Sequence, residues 1–378
     1  MAVPLLPEDF NVFVGAKTGI LKGLCLYSGP EGSLVQNVPK DLRVLSKEKE
    51  ITAMAWADPE ESQVLTGHAD GTVQIYSPAK GRLKTVDEAC SEGPIIGLAK
   101  CGNNYVTGIA SGTVRLWGDA GCEVGSGGVL ERLRVNGDII ATGGPKNDLK
   151  LWSISAGLKS TFKAKNVAHN WLELEVPVWI SDIAFIPLSE KIIVSTRHGN
   201  VRIYDPKAQR RPVFNMEFPE KALTAIAFGP SENHAVVGTG TGQLYKVDFR
   251  HKGLIAGHYK GAKGSIREIV CANDHVFSVS LDRHFRVHNG TSRQLIKSEY
   301  LKSKLSSLLV KADFEFNKKV EEPEVADDNI EEVGFEETEM DEIFSKMESA
   351  EQVEITKSKK SKIIITDIDT PKKKKIKV

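Results

Sequence analysis

The hexapeptides Gly71-Thr-Val-Gln-Ile-Tyr76 and Gly112-Thr-Val-Arg-Leu-Trp117 decide the fold. Each opens on a turn residue, alternates apolar and polar positions, and closes on an aromatic. Alternation with a period of two is the mark of a half-buried strand. The same texture returns at Asn147-Asp-Leu-Lys-Leu-Trp152, Gly199-Asn-Val-Arg-Ile-Tyr204, Gly242-Gln-Leu-Tyr-Lys-Val247 and Arg283-His-Phe-Arg-Val-His288, with a weaker copy at Gly19-Ile-Leu-Lys-Gly-Leu24. The seven copies are separated by 52, 41, 35, 52, 43 and 41 residues, a mean of 44. A short apolar strand precedes most copies by a fixed step, as in Val64-Leu-Thr-Gly67, Val106-Thr-Gly108 and Ala235-Val-Val-Gly238. Further upstream lies a third strand of like texture, as in Ile51-Thr-Ala-Met-Ala-Trp56, Ile183-Ala-Phe185 and Leu223-Thr-Ala-Ile-Ala-Phe228. A helical period is absent from these segments.

A period near forty with three or four strands per unit predicts an all-β, seven-bladed β-propeller. The repeats resemble the WD-repeat family, whose blade-ending dipeptide survives in altered form as Trp152-Ser153, Tyr204-Asp205 and Val247-Asp248. A ring has to close. Asn11 to Leu26 supplies only two inner strands, so the missing innermost strand is expected from the other end of the chain. Leu305-Ser-Ser-Leu-Leu-Val310 has the right texture and is expected to pair with the N-terminal segment, removing an open edge. The propeller is expected to span residues 1–312.

Composition agrees with this picture. The chain has 378 residues, 40% of them hydrophobic and 26% charged, which suits a globular protein. No apolar run is long enough for a membrane helix, and the first ten residues lack the basic and apolar regions of a signal peptide. Cys25, Cys90, Cys101, Cys122 and Cys271 are scattered without a CxxC pair. That pattern points to a reducing compartment and argues against a disulfide framework or structural zinc site.

The formal charge of zero conceals segregation. Residues 1–310 hold 37 Lys and Arg against 31 Asp and Glu, and residues 311–378 hold 13 against 19. Residues 313–336 are expected to form an acidic disordered linker. Residues 337–350 are expected to form a short amphipathic helix: after the capping-box spacing of Thr338-Glu-Met-Asp341, Met340, Ile343, Phe344 and Met347 share one face. A lone helix of that length is marginal, so its four apolar residues are read as a face for a partner groove. Residues 351–378 form a Lys-rich tail in which Lys372, Lys373, Lys374, Lys375 and Lys377 resemble a nuclear-import signal.

Catalytic patterns are missing. The sequence holds no phosphate-binding loop, HExxH or Gly-x-Ser-x-Gly, and the glycine runs at 125–128 and 143–144 lack a dinucleotide fingerprint. No cofactor or metal is expected, and the nine histidines read as turn or blade residues. What remains is an interaction surface. Phe162 through Trp179 fills the long gap between the fourth and fifth blades, and long connectors in compact domains are usually functional. Lys163, Lys165, Asn166, Asn170 and Trp171 suit a partner anchor or a stacked base, whereas Trp179, at a strand edge, reads as a residue packed beneath the loop. A second stretch offers Arg202, Arg210 and Arg211, the last two held outward by Pro212 for contact with phosphate or protein.

Lys165-Asn-Val, Asn170-Trp-Leu-Glu-Leu, Val176-Pro-Val-Trp179, Arg202-Ile-Tyr-Asp-Pro206 and Arg210-Arg-Pro-Val213 carry the resemblance further. With Val12-Phe-Val-Gly15, Tyr300-Leu-Lys-Ser303 and Glu337-Thr-Glu-Met-Asp-Glu-Ile-Phe344, they resemble the family of WD repeat-containing protein 74 and its Nsa-type yeast counterparts. The resemblance implies a nucleolar scaffold in maturation of the large (60S) ribosomal subunit and in precursor rRNA processing. It further implies docking on precursor particles beside other assembly factors, release by an AAA-type ATPase, and a link to the nuclear exosome helicase. Two rival readings stand beside it. Asp248-Phe249-Arg250 matches the Asp-x-Arg of WD-repeat substrate receptors of cullin-type ubiquitin ligases, with Val247 where those carry Trp. The chain could also act as an RNA binder away from the ribosome. A charge of +6 spread around a ring predicts that protein contacts outweigh RNA contacts.

Overall fold

The computed structural model describes residues 10–27, 34–38, 46–86, 91–118, 121–169, 172–250 and 253–316. They lie in the first of two units of the chain, Met1–Lys319. Among the described residues, twenty-eight strands form seven four-stranded antiparallel sheets. Blade one combines β28 (Leu305–Val310), β1 (Val12–Ala16), β2 (Leu21–Cys25) and β3 (Leu34–Val38). Blades two to seven follow in chain order, each running from innermost to outermost strand. Blade two is β4 (Ile51–Trp56), β5 (Val64–His68), β6 (Val73–Ser77) and β7 (Arg82–Thr85). Blade three is β8 (Ile95–Cys101), β9 (Asn104–Ile109), β10 (Thr113–Trp117) and β11 (Cys122–Gly125). Blade four is β12 (Arg132–Asn136), β13 (Ile139–Gly144), β14 (Asn147–Ser153) and β15 (Lys159–Lys163). Blade five is β16 (Ile180–Phe185), β17 (Ile192–Thr196), β18 (Asn200–Asp205) and β19 (Gln209–Glu217). Blade six is β20 (Leu223–Phe228), β21 (His234–Thr239), β22 (Leu244–Asp248) and β23 (Leu254–Tyr259). Blade seven is β24 (Ile266–Ala272), β25 (His275–Ser280), β26 (His284–Asn289) and β27 (Leu295–Tyr300).

The seven hexapeptides are the third strands of their blades, and the apolar segments before them are the second strands. The expected closure is present: β28 pairs with β1 from Val12↔Val310 to Ala16↔Leu305. The chain stays packed to Phe316, with Phe314 buried against Phe277 at 4.7 Å between ring centres.

The recurring glycine of the second strands has a physical cause. A Cβ at Gly67, Gly143 or Gly238 would lie 2.8 Å from Ile95, Ile180 or Ile266, the first residue of the next blade's inner strand. The missing side chain is what lets neighbouring blades approach. In blades three and four the threonine before it binds the aromatic that ends the hexapeptide: the indole N–H groups of Trp117 and Trp152 donate to Thr107 and Thr142 at 2.8 and 2.9 Å. Two faces result from this topology. Loops between blades and loops between second and third strands open on one face, here the connector face. The remaining loops open on the opposite face.

Candidate interaction surface

The connector after β15 leaves the sheet by a backbone hydrogen bond from Ala164 to Leu149 and crosses to the outer strand of blade five. There the Lys165 N–H donates to the Arg210 carbonyl at 2.8 Å, and Arg210 Nε donates to the Lys163 carbonyl at 2.8 Å. Lys163, Lys165, Arg210 and Arg211 are all exposed along this seam. Pro212 is tolerated because β19 is an edge strand.

Asn166 ties off the loop that follows. Its Nδ2 donates to the Val176 carbonyl at 2.6 Å, and its Oδ1 accepts from the Val167 N–H at 2.8 Å. Arg202 occupies a different place from the surface contact expected of it. It is 1% exposed and lies beneath the connector, donating from Nη1 to Asn166 Oδ1 at 3.3 Å and from Nε to Asn215 Oδ1 at 3.2 Å. Its alternating position on β18 turns it inward, and its length carries the charge out under the loop. Nearby, burial raises the Asp148 carboxyl, an effect opposed by Arg202 and Lys150. Asn170 and Trp171 lie outside the described residues, as do Met340, Ile343, Phe344, Met347 and the lysines at 372–375 and 377. Asn166→Ala is expected to unfasten the 166–176 loop, raising its rate of limited proteolysis severalfold and costing about 1–3 kcal/mol for the polar groups left unpaired. Cleavage at the wild-type rate would refute that role.

Trp179 departs from the expectation that it packs beneath the loop. It is 38% exposed. Its indole N–H donates to Glu131 Oε2 at 2.6 Å, the Arg197 guanidinium lies 5.9 Å from its ring centre, and His198 meets it edge-on at 6.3 Å. Glu131 also binds Arg197 at 2.7 Å. The strand pairing of Pro145 with Trp179 and the Lys146 N–H donated to Val178 fix this cluster to blade four. The result is an aromatic and cationic platform at the exit of the connector. Glu131 and Arg197 are residues that the sequence reading missed as partners of Trp179. They stand 48 and 18 residues from it, and only the common loop position in the repeat signals that they meet.

On the opposite face, Arg250 and Asp248 are paired with each other, with Arg250 Nη2 to Asp248 Oδ2 at 2.6 Å and Nε 3.0 Å from both oxygens. Hydrogen bonds from Arg250 hold the Asp248 carboxyl well below the usual carboxylate range. Burial pushes the Cys271 thiol up to about 12, so it carries no thiolate at neutral pH. Among the described residues, no group of three His, Cys, Asp or Glu could hold a metal ion.

The comparisons with known proteins bear on the whole chain. It is 36% identical over 357 residues to WD repeat-containing protein 74 of Bos taurus, covering 90% of both chains. The chain belongs to the WD repeat-containing protein 74 family. The Homo sapiens member is 34% identical over 358 residues, again 90% of each. Ribosome biogenesis protein nsa1 of Schizosaccharomyces pombe is 30% identical over 227 residues, 52% of this chain and 58% of that protein. No protein-family model matches the chain. Among solved structures, the computationally designed Ika8 protein aligns with a TM-score of 0.56 at 19% identity, covering 80% of this chain and 88% of its own, which supports the fold. The similarity to the family's animal members therefore takes in the propeller and its long connector together.

Proposed function

We propose that the chain is a non-enzymatic scaffold in ribosome biogenesis, acting in nucleolar maturation of the large ribosomal subunit and in precursor rRNA processing. The observation that carries this reading is similarity over 90% of the chain to WD repeat-containing protein 74, joined by relatives named for ribosome biogenesis. The geometry suits the role. A closed ring of seven sheets offers a rigid platform, and its connector seam presents Lys163, Arg210 and Arg211 on strands, with Lys165 hydrogen-bonded to the Arg210 carbonyl beside them. Asn166 and Arg202 hold that seam in shape, and Trp179 with Arg197 and His198 supplies an aromatic anchor of the kind that dominates interfaces. In this reading the Lys-rich end directs nuclear import, the face of Met340, Ile343, Phe344 and Met347 engages a partner, and an AAA-type ATPase releases the protein from the particle. The nuclear exosome helicase is a further partner.

The test is recovery of the tagged chain from nuclear extract, with half of the sample treated with nuclease. Large-subunit proteins and precursor rRNA are expected in the untreated half. Assembly factors that survive nuclease would place the main docking contacts on protein. Ubiquitin-ligase subunits in place of ribosomal precursors would overturn the proposal.

A further inference from the structure

The cations of the propeller are not spread evenly around the ring, contrary to the expectation from its net charge. Apart from the connector seam, one sector gathers five exposed cations on the connector face. Lys260 and Lys263 lie in the loop between blades six and seven, Arg283 in the loop between β25 and β26, and Lys302 and Lys304 in the loop between blades seven and one. Hydrogen bonds make these loops contiguous. The Lys263 N–H donates to Asp282 Oδ2 at 3.1 Å, the Leu301 N–H to the Arg283 carbonyl at 2.8 Å, and the Lys17 N–H to the Lys304 carbonyl at 2.9 Å.

The carboxylates of this sector are already occupied. Asp282 accepts from Arg286 at 2.7 Å and also from Ser280 and the His284 N–H. Glu50 pairs with Lys17 at 3.2 Å. Glu299 is half-buried and, by alternation along β27, lies on the sheet face opposite Tyr300. Among the described residues, Lys260, Lys263, Lys302 and Lys304 have no ion-pair partner. Lys302 is close enough to the buried Lys22 to add to the burial that already lowers the Lys22 ammonium. Like charges are therefore held together, and among the described residues none of these four lysines is paired with a carboxylate.

An aromatic stands among these cations. Tyr300 is 52% exposed at the end of β27, its ring 5.1 Å from that of His284 and its hydroxyl accepting from Arg283 Nη1 at 3.2 Å. A row of unpaired cations neutralises phosphates, and an open aromatic ring in that row stacks a base, which duplex RNA does not offer. We propose that the arc Lys260–Lys263–Arg283–Lys302–Lys304, with Tyr300 at its centre, binds single-stranded RNA. This deepens the assembly-factor reading, which says where such RNA would come from.

The test uses the purified full chain and a fluorescent single-stranded oligouridine, with affinity followed by anisotropy across a salt series. Each variant keeps the Lys-rich tail, so differences report the propeller. Lys302→Glu with Lys304→Glu is expected to weaken binding at least tenfold and to lower the salt slope by about 1.4, two lost phosphate contacts on a single strand. Tyr300→Ala is expected to weaken binding roughly fivefold or more without changing the slope. Lys159→Glu with Lys191→Glu, the same charge change elsewhere, is the control. Arc variants that bind like this control would overturn the proposal. Equal displacement of the RNA by polyglutamate of matched charge, with no effect of Tyr300→Ala, would instead assign the arc to an acidic protein. Arc variants that bind RNA normally while the wild-type chain still recovers precursor particles would overturn the arc alone and leave the assembly-factor reading standing.

Discussion

An Asp182→Ala chain is expected to lose about 3–5 kcal/mol of folding stability, the usual consequence of removing one partner from a buried ion pair. Asp182 lies on β16 with no exposed surface. Its Oδ1 accepts from Arg132 Nε at 2.8 Å, from Arg134 Nη2 at 3.4 Å and from the Ile183 N–H at 2.9 Å, while Oδ2 accepts from the Ile226 N–H at 3.0 Å. Arg134 continues to Glu268 at 2.8 Å, and Glu268 accepts the Leu308 N–H at 2.8 Å. The inner strands of blades four, five, six, seven and one are thus joined by one polar network. Removing the carboxylate leaves two backbone donors and Arg132 Nε without their acceptor, and leaves Arg134 with Glu268 alone, at the centre of the ring.

The effect has a defined pH dependence. Burial acts to raise the Asp182 carboxyl, but Arg132, Arg134 and the two backbone N–H groups overcome it, and the net direction is downward. A carboxyl depressed in the folded state contributes stability that is fully present above its unfolded value of about 3.9. That contribution is lost as pH falls through the folded value. Urea unfolding of the wild type and of Asp182→Asn should therefore differ most at neutral pH and converge in acid. A gap under about 1 kcal/mol at pH 7, or one that is unchanged in acid, would contradict this account of the network.

Ending the chain at Lys304 is expected to abolish folding of the propeller. The lost strand, β28, is the partner of β1 on its inner side. Leu305, Leu308 and Val310 are buried in one cluster with Val12, Val14, Phe277 and Phe285. Burying each such side chain contributes about 1.5–3 kcal/mol, so the three approach the total stability of a typical domain, about 5–15 kcal/mol. The truncation also leaves the ring open with an unpaired strand edge. Circular dichroism of the truncated chain should show lost cooperative melting. Leu308→Ala provides a graded counterpart, expected to cost about 2–5 kcal/mol in thermal or urea unfolding. A truncated chain that melts like the wild type would show that the latch is dispensable.

How much of this was legible in sequence depends on what constrains each strand. The second and third strands are pressed between neighbours on both sides, and Leu65, Val73, Val114, Val201 and Val237 are buried in consequence. That pressure leaves the period-two pattern from which seven blades can be counted. Outer strands such as Cys122–Gly125 and Leu254–Tyr259 have one neighbour and open faces. Their sequences carry little pattern, and β3 at Leu34–Val38 went unread for the same reason. The connector was visible as an interruption of the period. Arg210 and Arg211 point outward as Pro212 implies, with Lys163 and Lys165 exposed beside them, while Arg202 and Trp179 exchange the places expected of them.

The sequence by itself determined the number of blades, the identity of their middle strands and the closure by Leu305–Val310, because these follow from local alternation and from the need to pair an open edge. Only the tertiary structure decided which distant residues share a surface. Arg134 meets Glu268, Trp179 meets Glu131, and Lys263, Arg283 and Lys302 line one rim. The physical reason is that a ring brings together residues at equivalent repeat positions or across its axis. Such contacts depend on how the whole chain closes, and no local pattern records them.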